Sequence, residues 1–193
     1  MNLLEQANYI KEKFPEARVE ALQNDNQIIY VSPKQIIEML TFLRDDKELS
    51  FKTLIDVFGA DMLGIRSPRF EVIYVLLSYK LNNRITMKVA LEEGETVASA
   101  VPVFSAAGWF ERETYDMYGI VFENHPDLRR ILTDYGFEGH PLRKDFPLTG
   151  YKEVRYDAEQ QKVIYEPVKL MQEFRKFDFD MPWEGPNYKQ NKS

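Results

Sequence analysis

The 193-residue sequence contains no cysteine and only two histidines. Without cysteine the chain forms no disulfide, uses no thiol nucleophile and holds no iron–sulfur cluster through thiolates. A zinc site built from the usual histidine and cysteine ligands is not expected either. If the protein takes part in redox chemistry, we therefore expect that it does not hold a metal cluster itself. The lack of cysteine also suits a reducing compartment.

Long apolar runs and a basic charge balance are also missing. No stretch of about 18 apolar residues occurs, so no transmembrane helix is expected. The N-terminal stretch MNLLEQANYIKEKF resembles neither a signal peptide nor a transit peptide, and we expect the chain to stay where it is made. The net charge of −6 and the pI of about 5.1 argue against a nucleic-acid partner bound through bulk charge.

A hydrophobic content of 44% and a charged content of 29% are typical of a globular domain. Apolar spacing predicts helices over about 3–14 and 33–43, the second beginning after Ser32-Pro33. Alternation of Phe51, Thr53, Ile55 and Val57 on one face predicts a strand to about Phe58. Two further short strands are predicted at 19–22 and 27–31.

The clearest pair of strands is predicted at 70–81 and 84–91, joined by a turn at Asn82-Asn83. Apolar residues fill both faces of the first strand, whereas the second alternates between apolar and polar residues. We therefore expect the first strand to be covered on both faces and the second to be half exposed.

A helix is predicted from about Phe104 to Tyr118, ending at Gly119. It carries a dense charged run, in which Arg112 and Asp116 are four residues apart and are expected to pair. One interpretation is that the run contacts a partner protein; the other is that it is an ordinary solvated helix face. The aromatic residues within the run favour the first. The interface candidates here are Trp109, Glu111, Arg112, Glu113, Tyr115 and Asp116.

After Thr133 the hydrophobic periodicity disappears, which predicts an α/β domain over 1–133 and an extended segment over 134–193. This segment contains 11 of the 26 aromatic residues and five of the ten prolines, with two small strands expected near 154–156 and 163–165. Because a disordered linker would be poor in aromatics, we expect these rings to bind a partner that the segment wraps. The anchor candidates are Phe174, Phe177, Phe179 and Trp183.

Two histidines and two basic clusters lie between 125 and 145. Either histidine is a possible general base of a free-standing enzyme, but no motif supplies a nucleophile, and a hydrogen-bonding role in a loop is the simpler interpretation. The basic clusters are candidates for binding an acidic surface, or are solvated charges. The residues concerned are His125, Arg129, Arg130, His140, Arg143, Lys144 and Asp145.

The stretch ERETYDMYGIVFENHPDLRRIL resembles the signature of the 30-kDa subunit family of respiratory complex I, known in bacteria as the C subunit of NADH–quinone oxidoreductase. The similarity continues through TDYGFEGHPLRKDFPLTGYKEVRYD and VIYEPVKLMQEFRKFDFDMPW, and covers about Ser105 to Trp183. Tyr118 occupies a signature position that usually holds an aliphatic residue or Phe. The earlier part of the chain is similar more loosely.

This resemblance implies an α+β fold, in the form of an α/β sandwich. A mixed, mostly antiparallel sheet would carry packed helices, and an irregular C-terminal extension would wrap a neighbouring subunit. It also implies a cofactor-free subunit of the peripheral arm, on the cytoplasmic side of the bacterial inner membrane or the matrix side of an organelle. The expected partners are the 49-kDa-type subunit and neighbouring iron–sulfur subunits. The membrane would be reached only through the complex.

NADH, FMN, iron–sulfur clusters and quinone would belong to the complex as a whole, which carries electrons from NADH to quinone and pumps protons. An equivalent scaffold subunit of a related hydrogenase-type membrane complex is the alternative, because such a subunit would have a similar sequence. A free-standing histidine-dependent enzyme is the second alternative.

Overall fold

The computed structural model describes residues 2–21 and 26–172. Within these ranges, three α-helices, one short 3₁₀ helix (Pro33–Gln35) and nine β-strands follow one another along the chain. Their bounds are α1 Leu3–Lys13, β1 Arg18–Ala21, β2 Asn26–Val31, α2 Ile36–Asp45, β3 Thr53–Asp61, β4 Phe70–Ser78, β5 Asn83–Leu91, β6 Thr96–Ala98, α3 Ala107–Tyr118, β7 Val121–Glu123, β8 Lys152–Asp157 and β9 Lys162–Pro167.

Five strands form one mixed sheet in the order β1-β2-β5-β4-β3. Three of the four neighbouring pairs are antiparallel, and only β2 and β5 run parallel. Chain segments that return in the opposite direction can pair directly, whereas the parallel pair requires the crossover through α2, β3 and β4. The predicted α+β class with a mostly antiparallel sheet is confirmed.

The hydrophobic core lies between one face of this sheet and the helices. Ile10 of α1, Leu40 of α2 and Ala107 of α3 belong to one buried cluster with the sheet. Alternate residues of a strand point to the same face. The sheet side of the cluster includes Phe70, Val72, Tyr74, Leu76, Ile85, Met87, Val89 and Leu91.

Strands β4 and β5 differ in burial as the sequence pattern predicts. Every residue from Phe70 to Tyr74 is buried, whereas buried and half-buried residues alternate along β5 from Ile85 onward. The turn between them differs from the prediction. Asn83 pairs with Ser78 as the first residue of β5, so the turn consists of residues 79–82, and Asn82 takes the positive φ of 50°.

Strand β3 departs from the predicted alternation. Its register against β4 shifts between Leu54 and Asp56, which is a β-bulge that places one extra residue in the strand. Leu54 and Val57 are therefore buried and Ile55 is exposed, so the expectation that Ile55 and Val57 share a face is wrong. The strand also continues to Asp61, beyond its predicted end at about Phe58.

Helix α3 connects β6 and β7, which form a separate parallel pair. It begins three residues later than predicted, because turns at residues 100–107 precede it. It ends as predicted at Gly119, which has the left-handed φ of 76° and whose N–H donates to the Tyr115 carbonyl at 2.8 Å.

The chain divides into compact units after Leu148, rather than after Thr133 as the loss of periodicity predicted. Residues 134–148 belong to the first unit because polar contacts hold them there. The backbone N–H of Lys144, for example, donates to the carboxylate of Asp61 at 2.9 Å. In the second unit, β8 and β9 form a two-stranded antiparallel sheet close to the two strands predicted there.

Gly59 in β3 offers a test of how α3 packs on the sheet. A Cβ atom there would lie 2.6 Å from the ring of Tyr118. We expect Gly59→Ala to lower the free energy of unfolding by about 1–3 kcal/mol, since the ring must move. Urea denaturation measures the change. The cost should shrink in a Tyr118→Ala background, and an equal cost in both backgrounds would show that the ring is not the obstacle.

Candidate functional site

The charged run of α3 does not form one exposed face. Glu111 and Asp116 are completely buried, whereas Glu113 is exposed. Two of the three carboxylates that were predicted to meet a partner are therefore used inside this chain. The sequence contains no sign of this division, since helical spacing separates Glu111 from Glu113 but does not say which of them faces inward.

Asp116 fixes the segment that follows β7. Its carboxylate accepts the backbone N–H groups of Ile131, Leu132 and Thr133 at 2.7–3.0 Å and the hydroxyl of Thr133 at 2.6 Å. Arg130 donates to it at 3.1 Å. Burial alone would raise the pKa of Asp116, but the hydrogen bonds from Thr133, Leu132 and Ile131 outweigh it and lower the pKa to about 2.

Arg112 binds the same segment through its backbone carbonyl groups. Its guanidinium donates to the carbonyl oxygens of Arg129 at 3.0 Å and Arg130 at 3.1 Å, and lies over the ring of Trp109. The predicted pair between Arg112 and Asp116 is wrong, because Arg130 is the cation that Asp116 binds. A surface pair four residues apart is weak, and the backbone carbonyls of Arg129 and Arg130 bind Arg112 instead.

His140 and Arg143 bind the carbonyl groups at the C-terminal end of α3. The Nδ1–H of His140 donates to the Asp116 carbonyl at 2.9 Å, and Arg143 Nε donates to the Tyr118 carbonyl at 2.6 Å. These are helix-terminal carbonyls that have no partner within the helix. A Cβ at Gly119 would lie within 2.7 Å of both side chains, so glycine is required for their approach as well as for its φ. Burial is the main cause that lowers the pKa of His140.

Asp61 and Arg69 anchor the loop around Asp145. Arg69 pairs with Asp61, Glu93 and Asp145, each at 2.9 Å, and Arg143 also pairs with Glu93. Although burial raises the pKa of Asp61, its hydrogen bonds from Arg69 and from two backbone N–H groups lower it to about 2. The two guanidinium groups also lie over the ring of Phe70. Sequence reasoning did not find Asp61, Arg69 or Glu93, since nothing in the sequence connects these distant positions.

His125 is also bound to backbone groups. Its Nδ1 accepts the N–H of Asp127 and its Nε2 faces the carbonyl of Gly108, both at 3.0 Å. Arg129 pairs with Asp127 near the surface, with its side chain 73% exposed. The histidines thus orient loops against α3.

The exposed part of this region is an aromatic and basic surface. We call it the outer α3 surface and define it by Trp109, Arg112, Glu113, Arg129 and Leu132. Trp109 is 65% exposed and Leu132 60% exposed, and Arg112 connects them through its contacts with Trp109 and with the carbonyls of residues 129 and 130. Of the predicted candidates, Tyr115 and Arg130 are half-buried and Lys144 is exposed. The predicted anchors lie outside the described residues: Phe174, Phe177, Phe179 and Trp183.

The β8–β9 hairpin has two unlike faces. Register pairs Val154 with Tyr165 and Tyr156 with Val163, which places these four side chains on one face. All four are between 53% and 62% exposed. The opposite face is charged and contains an ion pair between Arg155 and Glu166. We call the first face the apolar hairpin face.

Neither a metal-binding cluster nor a membrane-crossing helix occurs within residues 2–21 and 26–172. These residues include no group of three or more His, Asp or Glu side chains arranged to hold a metal ion. Their helices are also too short or too polar to cross a bilayer.

Two solved structures share the architecture. A trypsin-resistant fragment of Nqo5 (residues 1–134) matches with a TM-score of 0.55 and 28% identity over 66% of this chain and all of the fragment. A chain of the membrane-bound sulfane sulfur reductase, an archaeal respiratory membrane complex, matches with a TM-score of 0.64 and 22% identity over 75% of this chain and 85% of that chain. The chain is thus an α+β protein of the same structural class.

Residues 29–152 match the family model of the 30-kDa subunit of respiratory-chain NADH dehydrogenase. The chain belongs to this family, which confirms the family predicted from the sequence. Relatives named as the C subunit of NADH-quinone oxidoreductase include one from Paramagnetospirillum magneticum, 62% identical over 81% of this chain and 78% of its own length. The relative from Brucella ovis is 56% identical over 95% of this chain and 91% of its own length.

The Asp116 contacts predict a specific loss of stability. An asparagine at this position would turn an amide NH₂ toward backbone N–H donors and lose the charge that binds Arg130. We expect Asp116→Asn to lower the free energy of unfolding at pH 7 by about 2–4 kcal/mol, measured by urea denaturation. Because the folded pKa of Asp116 is lowered, its contribution is present above pH 4 and is lost as the pH falls toward 2.

The wild-type protein should therefore lose about 1 kcal/mol more than Asp116→Asn between pH 6 and pH 3. Asp127→Asn is the matched control, because it removes an exposed carboxylate from the same loop. Equal acid sensitivity of the wild type and Asp116→Asn would contradict the assigned role.

Proposed function

We propose that this chain is a structural subunit of the peripheral arm of proton-pumping NADH–quinone oxidoreductase. It holds no cofactor and no active site of its own, and it joins the complex by binding a 49-kDa-type subunit near the iron–sulfur subunits. NADH, FMN, iron–sulfur clusters and quinone are bound by other subunits. The complex attaches it to the cytoplasmic side of the bacterial membrane. The family assignment supports the host complex, and two exposed surfaces support the binding role.

The apolar hairpin face is the observation that carries the proposal. A two-stranded hairpin is at best marginally stable in water, because it buries too little apolar area by itself. Val154, Tyr156 and Val163 nevertheless remain more than half exposed. Covering them with a partner surface would stabilise the assembly by about 25 cal/mol for each Å² of apolar area removed from water. The hairpin is therefore suited to fold firmly against another subunit.

The outer α3 surface supports the same role. Trp and Arg are the residue types that most often dominate the binding energy of protein interfaces. Here Arg112 is held over the Trp109 ring by carbonyls of the loop that Asp116 fixes. A side chain already held in its binding position loses less entropy when a partner binds.

A role as general base is disfavoured for both histidines. The N–H of His140 is donated to a carbonyl at the end of α3, and both nitrogens of His125 are engaged by backbone groups. Each ring thus holds structural contacts that proton transfer to a substrate would interrupt. This favours a subunit without its own chemistry over a free-standing enzyme.

A scaffold role in another respiratory membrane complex is the second candidate. The structural match to a chain of the archaeal sulfane sulfur reductase favours it. Relatives that are 54–62% identical carry the name of the C subunit of NADH-quinone oxidoreductase, which favours the first proposal. Affinity purification of the tagged chain from mild-detergent membrane extracts, followed by native mass spectrometry, distinguishes the two through the co-purifying subunits.

Replacing Trp109 tests the outer α3 surface. We expect Trp109→Ala to leave the urea midpoint of the isolated chain nearly unchanged, because the side chain is 65% exposed, and to lower the yield of assembled complex at least several-fold. Tyr79→Ala is the matched control, since Tyr79 is a similarly exposed aromatic in the β4–β5 turn. Normal complex yield with Trp109→Ala would exclude this surface from the interface.

The two faces of the hairpin provide a matched pair of double variants. Val154→Ser/Tyr156→Ser alters the apolar hairpin face, and Glu153→Ser/Arg155→Ser alters the opposite face of the same strand. We expect only the first to reduce co-purification of the 49-kDa-type subunit, by about tenfold or more, which corresponds to about 1.4 kcal/mol or more of binding energy. If both behave as the wild type, the hairpin does not bind this partner.

A further inference from the structure

Glu111 of α3 is a buried carboxyl that the proposed function does not use. Its side chain has no exposure to solvent. Two neutral groups that follow β6 donate to it: the hydroxyl of Ser99 at 2.6 Å and the backbone N–H of Ala100 at 2.6 Å. A buried carboxylate is costly unless a positive charge compensates it, and neither of these donors carries one.

His125 is the basic side chain closest to Glu111 in the described ranges, with Nε2 at 3.9 Å from the carboxylate oxygen. Its hydrogen bonds do not allow it to be the compensating cation. Nδ1 accepts the N–H of Asp127 and therefore carries no proton, and the proton on Nε2 is directed to the carbonyl of Gly108. In this arrangement both ring nitrogens are engaged by backbone groups, and neither donates to Glu111.

On the sheet side, the group that interacts with Glu111 in the described residues is an uncharged tyrosine. Tyr74 of β4 is fully buried, and its hydroxyl has no hydrogen-bond partner in the described part of the protein. Burial, and then the negative charge of Glu111, raise the pKa of Tyr74, which stays neutral. In the described ranges, the groups found around Glu111 are thus Ser99 and Ala100 after β6, His125 after β7 and Tyr74 on β4, and none of them supplies it with a charged hydrogen bond.

We propose that Glu111 binds a proton when the domain folds, and that this proton makes the packing of α3 on the sheet sensitive to pH. When protonated, the carboxyl keeps one oxygen as acceptor and gains a hydroxyl that can donate to a neighbour. When ionised, it places an uncompensated charge between α3 and β4. The inference concerns this chain alone and does not depend on the identity of any partner.

The direction of the pH effect follows from the same contacts. Burial, only partly offset by the hydrogen bonds from Ser99 and Ala100, raises the pKa of Glu111 to about 7 from an ordinary value of 4.5. A group whose folded pKa is raised contributes stability below its unfolded pKa and loses it as the pH rises through its folded pKa. The unfolding constant should therefore rise about tenfold between pH 6 and pH 8 because of Glu111.

The test compares the full-length wild type with Glu111→Gln and Glu113→Gln in urea at pH 6 and pH 8. Other groups also titrate in this range, so the informative quantity is the difference between variants. We expect the unfolding constants of the wild type and Glu113→Gln to rise by the same factor between pH 6 and pH 8. The factor for Glu111→Gln should be about ten times smaller. An unchanged pH dependence in Glu111→Gln would overturn the proposal.

Infrared spectroscopy of the wild type keeps the proposal testable if Glu111→Gln does not fold. Labelling the side-chain carboxyl of glutamate with ¹³C shifts the carboxyl stretching bands of the glutamate residues and leaves those of the aspartate residues in place. We expect a band of a protonated glutamic acid at pH 6 that disappears with a midpoint near pH 7. Absence of this band at pH 6 would overturn the proposal as well.

Discussion

The hydrogen bonds of the Asp116 carboxylate are the contacts on which the rest of this region depends. A single buried carboxylate accepts three consecutive backbone N–H groups, one hydroxyl and the Arg130 guanidinium. It converts a segment without secondary structure into a fixed part of the domain. The outer α3 surface exists because of this, since Arg112 can hold Trp109 in place only while the carbonyls of Arg129 and Arg130 stay where they are.

The division of roles among the charges lets one helix combine buried anchors with an exposed surface. Asp116 and Glu111 point into the protein, whereas Trp109 and Glu113 point outward. The inward carboxylates have opposite environments. Asp116 has enough donors and a cation to keep its charge, while Glu111 has two neutral donors and a raised pKa. The pKa values of these close neighbours in the sequence thus shift in opposite directions because the elements packed against them differ.

Much of the fold follows from patterns that depend on local spacing. The alternation in β5, the apolar run of β4 and the end of α3 at Gly119 are each visible in a short stretch of sequence. The bulge after Leu54 is not, because it arises from pairing with β4 rather than from any residue preference. The residue at which the first compact unit ends also differs from the prediction. Residues 134–148 lack hydrophobic periodicity, and polar contacts to Asp61 and to the end of α3 hold them instead.

The sequence by itself determined the family, the class of fold and the residues of interest around α3, because these depend on residue identity and spacing along the chain. Only the tertiary structure decided the role of each residue. Whether a charged side chain is a surface contact or an internal anchor depends on which distant groups surround it. Asp116 meets Arg130 rather than Arg112 because the segment after β7 folds back over α3. Glu111 receives its hydrogen bonds from the neutral groups of Ser99 and Ala100, which follow β6.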